Sequence, residues 1–234
     1  MNRPTKLLGI ALLTILLANF SAVLVYAFPD DTIREKTFTT YLVEPIGTPG
    51  TDSYNAYAYS DIHWPSGTAN IAYSVNLKGA PTGAITEISE AFETWDAQIG
   101  DKLFKDTVGT TSRAGNKFDS YNVVSWARLG RGIIAQTTVW YNRNTKEIVE
   151  FGMVFSTAYK WGVDTDGEDT TYTLTNAFDV RNIATHEAGH TLMLDDLYMT
   201  DASKLTMYGY GDFGETYAIS LGAGDITGIK AIYP

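Results

Sequence analysis

The stretch FDVRNIATHEAGHTLMLDD, residues 178–196, decides the fold of this chain. It holds two histidines four positions apart, His186 and His190, and Glu187 directly follows the first. In a helix, residues four apart lie one above the other, about 6 Å along the axis, so both imidazoles can reach one metal ion. Glu187 lies beside them, where it can hydrogen-bond a water on that ion and accept its proton. The stretch therefore predicts a helix that carries a metal-dependent hydrolytic site.

The low histidine content of the chain supports a metal-binding role for the pair. A five-residue pattern with three fixed positions also occurs by chance in helices that bind nothing. The whole chain, however, has only three histidines, and the pattern uses two of them. We therefore expect a metal site rather than a chance match.

The sequence downstream of the pair continues the pattern, with Asp196 and then Leu-Thr-Met-Tyr-Gly-Tyr at 205–210. Together these residues resemble the metzincins, and in particular their matrixin-like branch. The metzincin pattern is His-Glu-x-x-His-x-x-Gly-x-x-His or Asp, followed by a turn that contains methionine. The resemblance covers about residues 64–234. Within it, the stretches that are similar to matrixin helices are 90–95, 178–185 and 224–233.

The resemblance implies a zinc site and a role for each of its residues. His186, His190 and Asp196 would bind the ion, with aspartate as the third ligand as in the snapalysin group. Met207 would form an apolar floor beneath the ligands without bonding the metal. Glu187 would be the general base.

Met193 departs from the family pattern, which usually has glycine at that position. Glycine lets the backbone leave the helix in a left-handed turn, and another residue there costs about 1–2 kcal/mol. If the helix continued instead, Asp196 would lie about 9 Å further along the axis than His190 and would not share its ion. A third ligand at Asp196 therefore requires the chain to turn at Met193. The alternative third ligands are Asp195, His63 and Glu215.

The apolar pattern predicts an α+β fold in which helices are layered on a twisted mixed sheet. Ile71, Tyr73 and Val75 alternate as in a strand, whereas apolar residues from Ile85 to Trp95 recur at helical spacing. Residues 142–146 form a polar turn between two apolar runs, which predicts an antiparallel hairpin. The predicted strands are 70–76, 122–129, 132–141 and 147–156, and the predicted helices are 81–97, 176–194 and 225–232.

The first strand of that hairpin has a further role by resemblance. If the chain is similar to a matrixin, this strand is the antiparallel edge of the sheet above the cleft, and Ile134 and Ala135 line the cleft. An exposed edge has unpaired backbone groups, to which an extended peptide can add as a strand. The alternative is an ordinary interior strand.

The amino terminus predicts export. Arg3 and Lys6 precede an apolar run at 7–25, and small residues follow at the end of the run, as in a secretory signal peptide covering 1–27. The alternative is an uncleaved membrane anchor, since the run approaches the length of a bilayer span. After cleavage we expect a secreted protein with no stable membrane insertion. Residues 28–61 would form a lead-in, as a propeptide, a spacer or an extra edge strand, and residues 62–234 the catalytic domain.

Charge and cysteine content argue against nucleic acid as a partner and against a cysteine latch. Loss of residues 1–27 leaves 15 basic against 27 acidic residues, a net charge of −12, so nucleic acid is not an expected partner. The chain has no cysteine, so an exported protein must gain its stability from its core and from bound ions. A cysteine latch of the matrixin kind is excluded for the same reason.

An acidic loop suggests a second cation. Asp164, Asp166, Glu168 and Asp169 surround Gly167, which resembles an oxygen-rich calcium loop without the full EF-hand pattern. The alternative is a solvated acidic loop.

These features and the resemblance together predict a secreted, monomeric zinc endopeptidase that acts on proteins or peptides. Glu187 would act first as base and then as acid to the leaving amine. The alternative is a catalytically idle module at the cell surface that keeps the metzincin scaffold and binds a partner.

Overall fold

The computed structural model describes residues 31–42, 50–100, 102–168 and 174–234. The predicted signal peptide, 1–27, lies outside the described residues, as do 28–30 and 43–49 of the predicted lead-in. Among the described residues, no helix combines the length and the apolar character that crossing a bilayer requires.

A seven-stranded mixed sheet forms the centre of the fold, in the order β3-β2-β4-β6-β5-β1-β9. Its strands are β1 (Ile33–Leu42), β2 (Tyr73–Val75), β3 (Gly109–Thr110), β4 (Asn122–Ala127), β5 (Ile133–Asn142), β6 (Ile148–Ser156) and β9 (Tyr210–Gly211). A second, two-stranded parallel sheet joins β7 (Trp161–Gly162) and β8 (Phe178–Asp179). The helices are α1 (Ala84–Asp96), α2 (Val180–Thr191) and α3 (Ala223–Ile232). The prediction of an α+β fold with a mixed sheet is confirmed.

Helix α1 orients α2. The side chains of Ile88, Phe92 and Trp95 recur on one face of α1, and all three are fully buried. The indole Nε1 of Trp95 donates a hydrogen bond of 2.8 Å to the carbonyl oxygen of Thr185, inside α2. This bond satisfies the one polar atom of a buried indole and fixes the two helices against each other.

The hairpin of β5 and β6 is antiparallel, as predicted. The turn at 142–146 is held by Asn142, whose side-chain oxygen accepts a hydrogen bond of 2.9 Å from the backbone nitrogen of Asn144. Strand β6 is buried along nearly its whole length, because β4 and β5 pair with its two sides.

The prediction that β5 is the sheet edge is wrong for the described structure. Strand β1 pairs with β5 in antiparallel register, from Ile33 opposite Asn142 to Tyr41 opposite Ile133. Ile134 and Ala135, expected at an exposed edge, are fully buried, and Ala135 lies opposite Thr40. The covering strand comes from the lead-in, for which an extra edge strand is one of the predicted alternatives, and its pairing with β5 makes β5 an interior strand.

Strand β1 also has a neighbour on its other side. It runs parallel to β9, with Tyr41 opposite Tyr210 and Leu42 opposite Gly211. We call the space between β5 and β9, which β1 fills, the central groove. The groove lies over α2, so its contents face the histidines.

Candidate metal centre

Helix α2 presents both histidines to the interior. The helix begins after Asp179, whose carboxylate accepts a hydrogen bond of 2.8 Å from the backbone nitrogen of Asn182 and so caps the first turn. His186 is 3 % exposed and His190 is fully buried. The predicted start at residue 176 is too early, because Phe178 and Asp179 belong to β8.

The helix ends in a left-handed turn at Met193, which has φ 72°. The backbone nitrogen of Leu194 donates to the carbonyl oxygen of Gly189 at 3.1 Å. The backbone nitrogen of Met193 donates to the backbone carbonyl oxygen of His190 at 3.0 Å. These two bonds are the Schellman pattern that glycine usually completes. Met193 bears the left-handed strain, about 1–2 kcal/mol, and its side chain is fully buried, which stabilises the fold by about 1.5–3 kcal/mol. Burial therefore offsets the strain.

The turn brings Asp196 to the histidines. Its Oδ1 lies 3.3 Å from Nε2 of His186 and 3.3 Å from Nε2 of His190, and the two Nε2 atoms are 3.0 Å apart. Ligand atoms about 2.0–2.1 Å from a tetrahedral zinc ion lie about 3.3–3.4 Å from one another. The three atoms therefore have the spacing of one face of a zinc tetrahedron.

Hydrogen bonds to the far side of each ring fix its tautomer. Nδ1 of His186 lies 2.7 Å from the carbonyl oxygen of Thr206, and Nδ1 of His190 lies 2.8 Å from that of Leu194. A carbonyl oxygen only accepts, so each Nδ1 carries the hydrogen and each neutral ring presents a lone pair at Nε2. Both lone pairs point toward Oδ1 of Asp196, a buried atom for which no hydrogen-bond donor is present when the rings are neutral. Three converging acceptors repel one another unless a cation lies among them.

The close approach of the three side chains also shifts the pKa values of His186 and Asp196. Burial lowers the pKa of His186, but the hydrogen bond and the charge of Asp196 outweigh burial and raise it to about 9. Burial raises the pKa of Asp196, but the charges and hydrogen bonds of His190 and His186 outweigh burial and hold it well below its usual value. Without a metal, a proton is the positive charge that the site attracts.

The segment that carries Met207 supports the site from below. The carboxylate of Asp225, in α3, accepts hydrogen bonds from the backbone nitrogens of Thr206 at 2.8 Å and Met207 at 3.1 Å. Asp225 therefore positions the Thr206 carbonyl that orients His186. A Cβ atom added to Gly189 would lie 2.4 Å from Sδ of Met207. Met207 thus packs directly against α2 between the two histidines, where an apolar floor is expected.

Glu187 is fully buried on the side of α2 that faces the central groove. Its Oε1 accepts a hydrogen bond of 2.6 Å from the hydroxyl of Thr40, and its Oε2 accepts one of 2.5 Å from Thr137. The carboxylate therefore lies between β1 and β5.

The alternative third ligands lie elsewhere. Asp195 forms an ion pair with Lys36. Nδ1 of His63 lies 2.8 Å from the carbonyl oxygen of Trp64. Glu215 accepts a hydrogen bond of 2.8 Å from the backbone nitrogen of Asp212. Among the described residues, the group of three or more potential ligands whose atoms lie within 4.8 Å of one another consists of His186, His190 and Asp196.

The acidic loop is only partly described. Asp164 is buried, and its backbone nitrogen donates a hydrogen bond of 2.8 Å to Asp179. The backbone nitrogen of Asp166 lies 3.3 Å from Oδ1 of Asp164, and Glu168 follows two residues later. Asp169 lies outside the described residues. Calcium binding at this loop stays a prediction.

Sequence reasoning missed the residues that reach the site from a distance. Phe38 stacks on the ring of His190, with centroids 4.2 Å apart and planes inclined by 6°. Thr40, Thr137 and Asp225 contact Glu187 or the Met207 segment, as described above. One signal was present, since Phe38, Thr40 and Leu42 alternate with Thr39 and Tyr41 as in a strand.

Comparisons with known proteins add no assignment. Neither the models of protein families nor the curated proteins include a match to this chain.

Proposed function

We propose that the protein is a zinc-dependent endopeptidase of the metzincin type, in which His186, His190 and Asp196 hold the metal. The observation that supports this most strongly is the convergence of three buried acceptor atoms within 3.0–3.3 Å of one another. Two imidazoles with one carboxylate are a donor set suited to zinc. Three ligands also leave a fourth position for solvent or substrate, as catalytic zinc sites require.

The residues around the metal have separable roles in peptide hydrolysis. A bound zinc ion lowers the pKa of water at its open position and polarises a carbonyl group. Glu187 accepts a proton from the attacking water and delivers it to the leaving amine. Thr137 donates to Oε2 of Glu187 and so holds the carboxylate beside the histidines. Thr206 and Leu194 keep the two rings in the tautomer that binds a cation.

The central groove supports a peptide as substrate. An extended peptide in the groove would gain backbone hydrogen bonds from β5 along its length and from β9 at one end, which gives affinity without dependence on sequence. A small cavity beside His186 has room for about one water molecule and opens toward the groove only if its lining moves. Its lining includes Ile183, Tyr208, Tyr210 and Ala218.

Export belongs to the same proposal. The amino-terminal pattern at 1–27 is typical of a secretory signal peptide, and the chain contains no cysteine that would depend on the redox state of its compartment. We further propose that the loop containing Asp164 and Asp166 binds calcium, since an exported protein without disulfides gains stability from bound ions.

The test measures zinc content and hydrolysis of casein by one preparation. Residues 43–49 of the full chain are replaced by the recognition sequence of a sequence-specific protease, and casein hydrolysis is followed before and after cleavage at that site. We expect one zinc per chain, and hydrolysis that a chelator stops and that Glu187→Ala lowers by about 10²–10⁴-fold.

The alternative is an idle scaffold whose groove is permanently filled by β1. In that case both forms bind zinc, and neither shows chelator-sensitive hydrolysis. That outcome would contradict the proposed peptidase and favour the binding module.

A further inference from the structure

The central groove is occupied by the chain's own strand β1. We infer that β1 is a resident pseudosubstrate that keeps the site latent until it leaves the groove, an inference that rests on the proposed function. The occupant is therefore residues 33–42 of this chain, and the groove behind it is the surface that a substrate peptide would take.

The backbone of β1 uses the hydrogen bonds that an added peptide would need. It pairs with β5 in antiparallel register and with β9 in parallel register. At the carboxyl end of β1, the backbone nitrogen of Tyr41 donates to the carbonyl oxygen of Gly209 at 3.2 Å. The backbone nitrogen of Leu42 donates to the carbonyl oxygen of Gly132 at 2.8 Å. A second strand has no free partners there while β1 is present.

Two buried side chains of β1 cover the reactive groups. Phe38, 4 % exposed, lies flat on the ring of His190. Thr40, 1 % exposed, donates to Oε1 of Glu187. One oxygen of the carboxylate proposed as general base is thus engaged by a hydroxyl of β1.

A charged contact fixes the register of β1 beside the metal ligands. Lys36 forms an ion pair with Asp195, the neighbour of the third ligand, and its ammonium also approaches the hydroxyl of Ser60. Both charged side chains are about one third exposed, so the pair stabilises the contact only modestly. Its position, however, places Phe38 two residues later directly over His190.

This arrangement blocks the site without a metal-binding latch. The side chain of Thr40 is directed to Glu187, and the chain has no thiol that would bind zinc in its place. The latent and released forms should therefore hold the same amount of zinc. This expectation separates a pseudosubstrate from a device that fills the fourth metal position.

The experiment compares the full chain with its form cut within 43–49, where the substituted recognition sequence lies. We expect cleavage and removal of the released segment to raise casein hydrolysis by at least about tenfold, with zinc content unchanged. A tenfold change is equivalent to about 1.4 kcal/mol, the free energy by which β1 would hinder substrate binding in the groove. A synthetic peptide of residues 31–42 should bind the cut chain, measured by fluorescence anisotropy, and should reverse the gain. The same peptide with Phe38→Ala should bind more weakly.

Point variants of the uncut chain give an independent readout that needs no cleavage. Phe38→Ala removes the ring stacked on His190 and should raise hydrolysis by the uncut chain. Thr37→Ala is the matched control on the same strand, because the hydroxyl of Thr37 lies on the exposed side and contacts Thr138. We expect no change in hydrolysis for that control.

The outcomes separate the latency from the proposed function. Equal hydrolysis by cut and uncut chains, or a peptide 31–42 that neither binds nor inhibits, would overturn the pseudosubstrate and leave the peptidase intact. If the cut chain unfolds, Phe38→Ala decides, and hydrolysis no greater than that of Thr37→Ala would overturn the inference. Absence of hydrolysis in every form would count against the peptidase itself.

Discussion

Oδ1 of Asp196 lies 3.3 Å from Nε2 of His190, although the helix that carries the histidine ends at Thr191. A continued helix would separate the two residues by about 9 Å along its axis. The left-handed backbone of Met193 reverses the chain and closes that distance. The approach of Asp196 to the histidines therefore depends on a strained residue that is not glycine.

Met193→Gly should destabilise the fold even though it relieves the strain. The relief is about 1 kcal/mol, whereas loss of a fully buried methionine side chain costs about 2–5 kcal/mol. We expect a net loss of about 1–4 kcal/mol in the free energy of unfolding, measured by urea denaturation, with zinc still bound. A gain in stability would show that the Met193 side chain contributes little.

Gly189→Ala should damage the floor of the metal site. The added Cβ would lie 2.4 Å from Sδ of Met207 and 2.7 Å from Cζ2 of Trp95, so both side chains must shift. Overpacking of this kind costs about 1–3 kcal/mol and should also weaken zinc binding. Gly100→Ala is the control, because a Cβ at Gly100 meets no atom within 4 Å. Equal melting temperatures for the two variants would contradict the close packing of α2 on Met207.

Glu187→Ala should separate metal binding from turnover. Glu187 contacts Thr40 and Thr137 and is not one of the converging ligands. We expect unchanged zinc content and a loss of about 10²–10⁴-fold in casein hydrolysis by the cut chain, the contribution typical of a general base. Full activity in this variant, with zinc bound, would remove the proposed base.

Metal removal should expose the repulsion among the three ligand atoms. With zinc at 100 times its dissociation constant, binding adds about 2.7 kcal/mol to the stability of the fold. We expect a chelator to lower the melting temperature of the uncut chain, and added zinc to restore it. A melting temperature that is unchanged by the chelator and by added zinc would mean that the site does not bind zinc in solution.

The parts of the fold that sequence predicts are those fixed by neighbouring residues. The spacing of His186 and His190 predicts a helix, and the polar turn at 142–146 predicts the hairpin of β5 and β6, because both patterns arise within a few residues. The start of α2 was misplaced, since β8 pairs with β7 rather than extending the helix.

The contacts that sequence did not predict join distant segments. The alternation in residues 33–42 indicates a strand but does not say which strand it pairs with, so β1 in the central groove could not be found from the pattern. The support of His186 by Thr206 and Asp225 likewise needs three separate elements to meet. Only the folded chain brings these residues together.

Zinc content after single substitutions of the two neighbouring aspartates tests the central claim most directly. Asp196→Ala removes the converging carboxylate, whereas Asp195→Ala removes the carboxylate that pairs with Lys36 and Ser60. Elemental analysis after dialysis against buffered zinc should give one zinc per chain for the unaltered protein and for Asp195→Ala, and well below one for Asp196→Ala. Equal zinc in both variants, or no stoichiometric zinc in the unaltered chain, would contradict a metal centre formed by His186, His190 and Asp196.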